Sequence, residues 1–274
     1  MAEIPRVPLN DGRSIPQLGF GVYKIPDEAA TDAVQLALES GYRHIDTAAM
    51  YQNERGVGEG VRRSGIARED VFVTTKVWKD DNGYDTALRS FDSSLERLGF
   101  DYVDLYLIHW PAPLTDRYVD TWKALETLAA DGRARSIGVS NFHTKHLERL
   151  ARETDVVPAV NQVELHPRLP QEHVRAYDSE HGIATEAWSP LARGRLLEDP
   201  VLARLAAKHG RSPAQVVLRW HLQLGNIVIP KSATPSRIRE NLDVFDFDLD
   251  TDDMIAIAAL ETGERTGRDP DDNN

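Results

Sequence analysis

The sequence contains no cysteine, which excludes disulfides, thiolate nucleophiles and Cys-based metal centres. No apolar run approaches the roughly 18 residues that a membrane span requires. The start, Met1-Ala2-Glu3-Ile4-Pro5-Arg6, has neither the basic lead nor the apolar core of a secretory signal. No membrane contact is therefore expected, and a cytoplasmic location is the default expectation. Positive charge is scarce, with 32 Lys and Arg against 44 Asp and Glu and a formal net charge of −12. That balance argues against a nucleic-acid surface, which needs clustered basic residues. One local exception is Lys231, Arg237 and Arg239, a cluster able to oppose the global sign around a small anion. The Gly-x-Gly-x-x-Gly fingerprint of an open dinucleotide-binding sheet is missing as well. Its nearest imitation, Gly56-Val57-Gly58-Glu59-Gly60, has the wrong spacing and reads as the start of a helix.

What is present is alternation. Val7–Ile15 reads as a hairpin around Asn10-Asp11-Gly12. Short β-rich runs follow at His44–Asp46, Val71–Val77, Val103–Trp110, Ser136–Ser140, Val160–Glu164, Ala184–Trp188, Ile227–Ile229 and Val244–Phe247. Amphipathic helical patterns separate them, with an extra helix at Val201–His209. Eight strands joined by crossovers predict an α/β fold of the closed parallel (β/α)8 TIM-barrel type. A length of 274 residues suits one such barrel, which often occupies roughly 250. Residues 1–274 are thus expected to form a single domain. Positions 261–274, polar and aperiodic, are expected to form a short tail or mobile flap.

Four ionisable residues stand where apolar strand patterns stop. Asp46 ends Gly41-Tyr42-Arg43-His44-Ile45-Asp46, Tyr51 follows in the loop, Lys76 closes Thr74-Thr75-Lys76, and His109 closes Leu105-Tyr106-Leu107-Ile108-His109. Asp46 can hold Lys76 charged beside Tyr51, and the ammonium is expected to lower the phenol from its ordinary pKa of about 10. His109 is placed to orient a carbonyl oxygen. The combination reads as a site for reducing carbonyls. A buried ion pair without a catalytic role would explain Asp46 and Lys76 alone, but not all four residues at strand ends.

These segments, together with Thr75–Trp78, His109–Pro111, Gly138-Val139-Ser140-Asn141, Asn161-Gln162-Val163-Glu164 and Ile229-Pro230-Lys231-Ser232, resemble the aldo-keto reductases. The likeness runs from about Val7 to Leu260, and it is closest to the bacterial 2,5-diketo-D-gluconate reductase branch. The resemblance implies a barrel with NADPH across its carboxyl-end mouth and a catalytic tetrad of Asp46, Tyr51, Lys76 and His109, with Tyr51 as general acid. It also implies cofactor contacts. Ser140, Asn141 and Gln162 would hold the nicotinamide carboxamide, and Trp188 would stack on the ring. Gly21 and Val22 would line the nicotinamide end, and Ser189 and Leu191 the pyrophosphate. Lys231, Ser232 and Arg237 would bind the 2′-phosphate, and Ile229, Glu240 and Asn241 would lie near the adenosine. Ala233 and Thr234 stand where the branch usually has Val and a basic residue. Tyr23, Trp78 and Trp110, with His109, would wall the substrate pocket.

The expected activity is therefore NADPH-dependent reduction of small or hydroxylated aldehydes and ketones, dicarbonyls and keto-sugar acids by a monomer. A cofactor-binding sensor subunit on the same fold is the alternative. A two-carboxylate glycosidase would have to use Glu164 and Glu186. No metal site is expected: His143 and His146 share a helical face with Glu148 nearby, but no third ligand is placed to complete a shell.

Overall fold

The computed structural model describes residues 4–273. Strands β1 (Arg6–Pro8) and β2 (Ser14–Pro16) form the antiparallel hairpin. Eight parallel strands follow: β3 (Phe20–Gly21), β4 (His44–Asp46), β5 (Phe72–Val77), β6 (Val103–Ile108), β7 (Ala134–Ser140), β8 (Val160–Glu164), β9 (Ala184–Trp188) and β10 (Ile227–Val228). They lie in chain order across one sheet. Parallel bridges from Leu18 to Val228 and from Gly21 to Lys231 join its two ends and close the barrel. Gly21 permits that closure, because a side chain there would come within 2.9 Å of the Ile229 carbonyl oxygen.

The helices form the outer layer: α1 (Asp27–Ser40), α2 (Glu54–Arg63), α3 (Tyr84–Leu98), α4 (Tyr118–Ala130), α5 (Thr144–Glu153), α6 (Glu172–Glu180), α7 (Pro200–His209), α8 (Pro213–Gln223), α9 (Pro235–Glu240) and α10 (Thr251–Ala258). Helix α3 shows how the sequence dictates them. Ala87, Phe91, Leu95 and Leu98 recur every three or four residues and are all buried on one face. Gly99 then stops the helix in the left-handed conformation.

Two apolar shells result. The larger lies between helices and strands and includes Phe91, Tyr106, Trp122 and Val217. The smaller fills the amino-terminal half of the barrel with Phe72, Leu105, Leu107, Val160 and Ile227, capped by Leu9 and Ile15 of the hairpin. The hairpin thus plugs the bottom of the barrel.

One strand differs from expectation. Val244–Phe247 is not a strand, and the short Phe20–Gly21 takes its place as the first of the eight. Val244-Phe245-Asp246-Phe247 alternates like a strand, yet side chains supply its hydrogen bonds: Arg219 donates to the Val244 carbonyl and Gln215 to that of Asp243. The segment is a loop packed outside the barrel. Two residues ending in glycine carry too little pattern to announce β3.

The tail is not loose. The backbone N–H groups of Thr262 and Gly263 donate to the Arg168 carbonyl, and Arg168 pairs with Glu264. Thr266 donates from its backbone and hydroxyl to the buried Glu164 carboxylate, as does the Gly267 N–H. Asp269 pairs with Arg265 and His143, and Asp271 with Lys145 and His146. The expected flap is a strap fastened across the barrel mouth.

Candidate active site

Strands β4, β5 and β6 are neighbours, so their carboxyl ends deliver adjacent side chains. Lys76 Nζ reaches both oxygens of Asp46 at 2.8 Å and the Thr47 carbonyl at 2.8 Å. Both charged groups are almost wholly shielded from solvent. Tyr51 ends a 3₁₀ turn, Ala49–Tyr51, directly above them. Its ring centre lies 5.3 Å from Lys76 Nζ and 5.7 Å from that of His109, in an edge-on arrangement. His109 follows β6, and its ring meets Trp78 edge-on at 5.1 Å. Tyr23 lies 5.0 Å from Tyr51, and Trp110 stacks toward His109 at 6.5 Å. Tyr23 is exposed, while Trp78 and Trp110 are half-buried. The structure thus brings Asp46, Tyr51, Lys76 and His109 together with three aromatic residues at the barrel's open end, where barrel folds place their chemistry.

The electrostatics correct one expectation. The Tyr51 phenol is not lowered by Lys76; it is pushed well above its ordinary value, first by burial, then by the charge of Asp46, with smaller contributions from Tyr23 and Glu186. The geometry explains this. Asp46 grips the ammonium with both oxygens, so the phenol faces a neutralised pair rather than a free cation. The site therefore holds Tyr51 protonated. His109 is pushed well below its usual range by burial and by Lys76, so it stands as a neutral imidazole. Its Nδ1 is buried and, among the described residues, finds no hydrogen-bond partner.

The expected cofactor residues form the rest of the rim. Gln162 Nε2 donates to Asp46 Oδ2 at 2.9 Å and to Glu186 Oε2 at 2.7 Å. Ser140 Oγ donates to the Gln162 carbonyl, and Asn141 Nδ2 donates to the His109 carbonyl. Trp188 Nε1 donates to Asn141 Oδ1 at 2.8 Å, which fixes the indole edge beside the tetrad. Asn141 and Ser189 adopt positive φ of 63° and 49°. Such non-glycine strain concentrates at ligand sites, and both residues lie where a barrel strand turns into its loop. Leu191 is half-buried in that second loop. Val22 is fully buried, its N–H donating to the Asp46 carbonyl and its carbonyl accepting from Asn53.

Lys231, Ala233 and Arg237 are exposed, Ser232, Ile229 and Asn241 are buried, and Glu240 is half-buried. Ser232 Oγ accepts the Thr234 N–H and shapes the turn into α9. Among the described residues no carboxylate pairs with Lys231 or Arg237, although acidic groups outnumber basic ones across the chain.

Two features were not foreseen. Glu186 lies in register beside Gln162 on the neighbouring strand, inside the barrel. The sequence marked it only as a carboxylate between Thr185 and Ala187, and its contact with Gln162 has no signal there. The strap also brings Asp269 and Asp271 to His143, with one ligand atom of each within 4.8 Å of the others. A third potential ligand therefore does lie beside the histidine, where sequence spacing offered none, and Lys145 and Arg265 share those carboxylates. The two carboxylates weighed for glycoside hydrolysis are engaged elsewhere, Glu164 with the strap and Glu186 with Gln162.

Residues 17–262 match the Aldo/keto reductase family. The chain belongs to that family. It is 53% identical to the glyoxal reductase of Bacillus subtilis over 97% of this chain and 96% of that one. It is 50% identical to the methylglyoxal reductase DkgA of Yersinia pestis, with the same coverage. Among solved structures, a mutant of Gox0644 in complex with NADPH superposes with a TM-score of 0.96 at 48% identity, covering all of both chains. The (β/α)8 barrel also superposes on MGS-M4, an aldo-keto reductase from a deep-sea metagenome library, with a TM-score of 0.95 at 42% identity over 98% of this chain and 99% of that one.

Proposed function

We propose that this aldo-keto reductase reduces aldehydes and ketones with NADPH, taking dicarbonyls such as glyoxal and methylglyoxal and, by the diketogluconate-branch likeness, keto-sugar acids. The observation that carries the reading is the convergence of a protonated Tyr51, a neutral His109 and the Asp46–Lys76 pair at one aromatic-walled mouth. The names of the relatives support the substrate class.

The residues present fit the cofactor. Lys231 and Arg237, paired with no carboxylate among the described residues, suit a 2′-phosphate, since a guanidinium grips phosphate bidentately and an ammonium adds a point charge. The free Oε1 of Gln162, with Ser140 and Asn141, suits a carboxamide, and the half-buried face of Trp188 suits a flat ring. Gly21, Val22, Ser189, Leu191, Ile229, Ser232, Ala233, Glu240 and Asn241 would line the remainder. NADPH supplies the hydride that adds to the carbonyl carbon.

The chain's own residues handle the oxygen. His109 donates a ring N–H to it and sets its direction. Tyr51 gives it the phenolic proton as the carbon–oxygen π bond breaks, leaving a phenolate that solvent reprotonates. Lys76 stabilises negative charge on both oxygens during the transfer, and Asp46 keeps the ammonium in place. Tyr23, Trp78 and Trp110 exclude water. The polar strap across the mouth suits small, hydroxylated substrates. A panel of methylglyoxal, phenylglyoxal, diketogluconate and simple aldehydes, read by loss of NADPH absorbance, tests this reading. Turnover of none of them would refute it.

A further inference from the structure

Beneath the Asp46–Lys76 pair lies Glu186, completely buried and unused by the chemistry above. Its partner in register on β8 is Gln162. The single amide nitrogen of Gln162 serves two acids, Glu186 Oε2 at 2.7 Å and Asp46 Oδ2 at 2.9 Å. With both hydrogens committed on one side, the amide oxygen faces the other way, and among the described residues it accepts no hydrogen bond. The opposite amide orientation would set its oxygen against both acids.

The surroundings decide the charge of Glu186. From β4, Asp46 repels it and His44 Nε2 lies 3.7 Å from its Oε1. His44 is pushed down to about 3, chiefly by burial, and is neutral. From β5, the Lys76 ammonium is already gripped by Asp46, and Thr74 offers only a hydroxyl to His44. The barrel interior here holds two acids and one cation. Burial and the nearby Asp46 charge push Glu186 up to about 8, so near neutral pH it carries a proton. Its charge, when present, acts on Tyr51.

We propose that Glu186 is a positioning residue: by accepting from the Gln162 amide it fixes that amide so that the free oxygen is presented to the nicotinamide carboxamide. This rests on the reading of the site as an NADPH-dependent carbonyl reductase. The tetrad then faces one balanced ion pair, and hydride transfer proceeds in the field of that pair alone. Ionisation of Glu186 would oppose the negative charge that develops on the carbonyl oxygen, so reduction should slow as pH rises through the titration of this one group.

The test uses Glu186→Leu and Glu186→Gln in the full-length protein, with NADPH affinity from tryptophan fluorescence and kcat for phenylglyoxal across pH. Glu186→Leu removes the acceptor and should weaken NADPH about tenfold, the effect of one lost buried hydrogen bond. Glu186→Gln accepts the same bond and should restore affinity to near the wild-type value. Wild-type kcat should fall as rising pH ionises Glu186, whose carboxyl burial and Asp46 push above the ordinary range, and Glu186→Gln should abolish that fall. Unchanged NADPH affinity in Glu186→Leu, or the same inflection in Glu186→Gln, would overturn the proposal. A wild type that binds NADPH but reduces no carbonyl would refute the functional reading alone, since the affinities of the two variants still decide the role of Glu186.

Discussion

Lys76 Nζ sits 2.8 Å from each carboxylate oxygen of Asp46, so the two form a closed ion pair inside the barrel. Removing one partner leaves the other charge buried. Lys76→Met should therefore lose most carbonyl reduction and also stability, because breaking a buried pair costs about 3–5 kcal/mol. Thermal denaturation checks the second effect. An unchanged melting temperature would mean that Asp46 finds another partner.

On the proposed function, the exposed Lys231 and Arg237 at the other end of the site are expected to discriminate between cofactors. Arg237→Ala should weaken NADPH about tenfold or more, since a charge-assisted hydrogen bond contributes about 1.5–3 kcal/mol. NADH lacks the 2′-phosphate and should bind as before. Isothermal titration with both cofactors measures the difference. Equal weakening would assign Arg237 a structural role. Raising the salt should reproduce part of the selective loss, because the site is exposed and screened.

Away from the site, Asp178 is a buried carboxyl that accepts from Thr185 Oγ1 at 2.9 Å and Asn161 Nδ2 at 3.3 Å, and among the described residues no ion pair reaches it. Burial pushes it up to about 7, against about 4 for an aspartate in an unfolded chain. Between those values the native state holds a proton that the unfolded state has lost, so stability falls as pH rises from about 4 to about 7. Asp178→Asn should raise the melting temperature at pH 8 and change it little at pH 4. A substitution that destabilises equally at both pH values would show that Asp178 stays ionised in the fold.

The helices between the strands were legible, because long amphipathic periods such as that of Tyr84–Leu98 are local signals. So were the strand ends that carry Asp46, Lys76 and His109. Phe20–Gly21 was not, since a two-residue strand has no period and owes its place to barrel closure. Val244–Phe247 misled for the opposite reason, having alternation without a neighbour to pair with. Lys76 next to Tyr51 suggested a lowered phenol, but the sign depends on how tightly Asp46 holds the ammonium, which no spacing reveals. The strap was illegible because its partners, Glu164, His143 and Arg168, lie about a hundred residues away.

That strap provides a further test. Glu164 accepts from the Thr266 and Gly267 backbone, and a Cβ at Gly267 would collide with the Trp188 ring. Glu164→Leu should release the strap and speed protease cleavage after Arg265 or Arg268, with the barrel intact by circular dichroism. Wild-type cleavage rates would show that the ion pairs at Arg168 and Lys145 suffice to hold it.

The central claim is that Tyr51 supplies the proton. In Tyr51→Phe the ring still packs against Tyr23 and His109, and the cofactor contacts are untouched. General acids typically contribute about 10²–10⁴-fold to rate. The direct measurement is a single-turnover experiment with NADPH and phenylglyoxal, following NADPH absorbance in both proteins, alongside NADPH affinity by fluorescence. The account predicts a fall in the hydride-transfer rate of about 100-fold or more at unchanged NADPH affinity. A variant that keeps more than about half of the wild-type rate, where loss of a general acid removes nearly all of it, would contradict it.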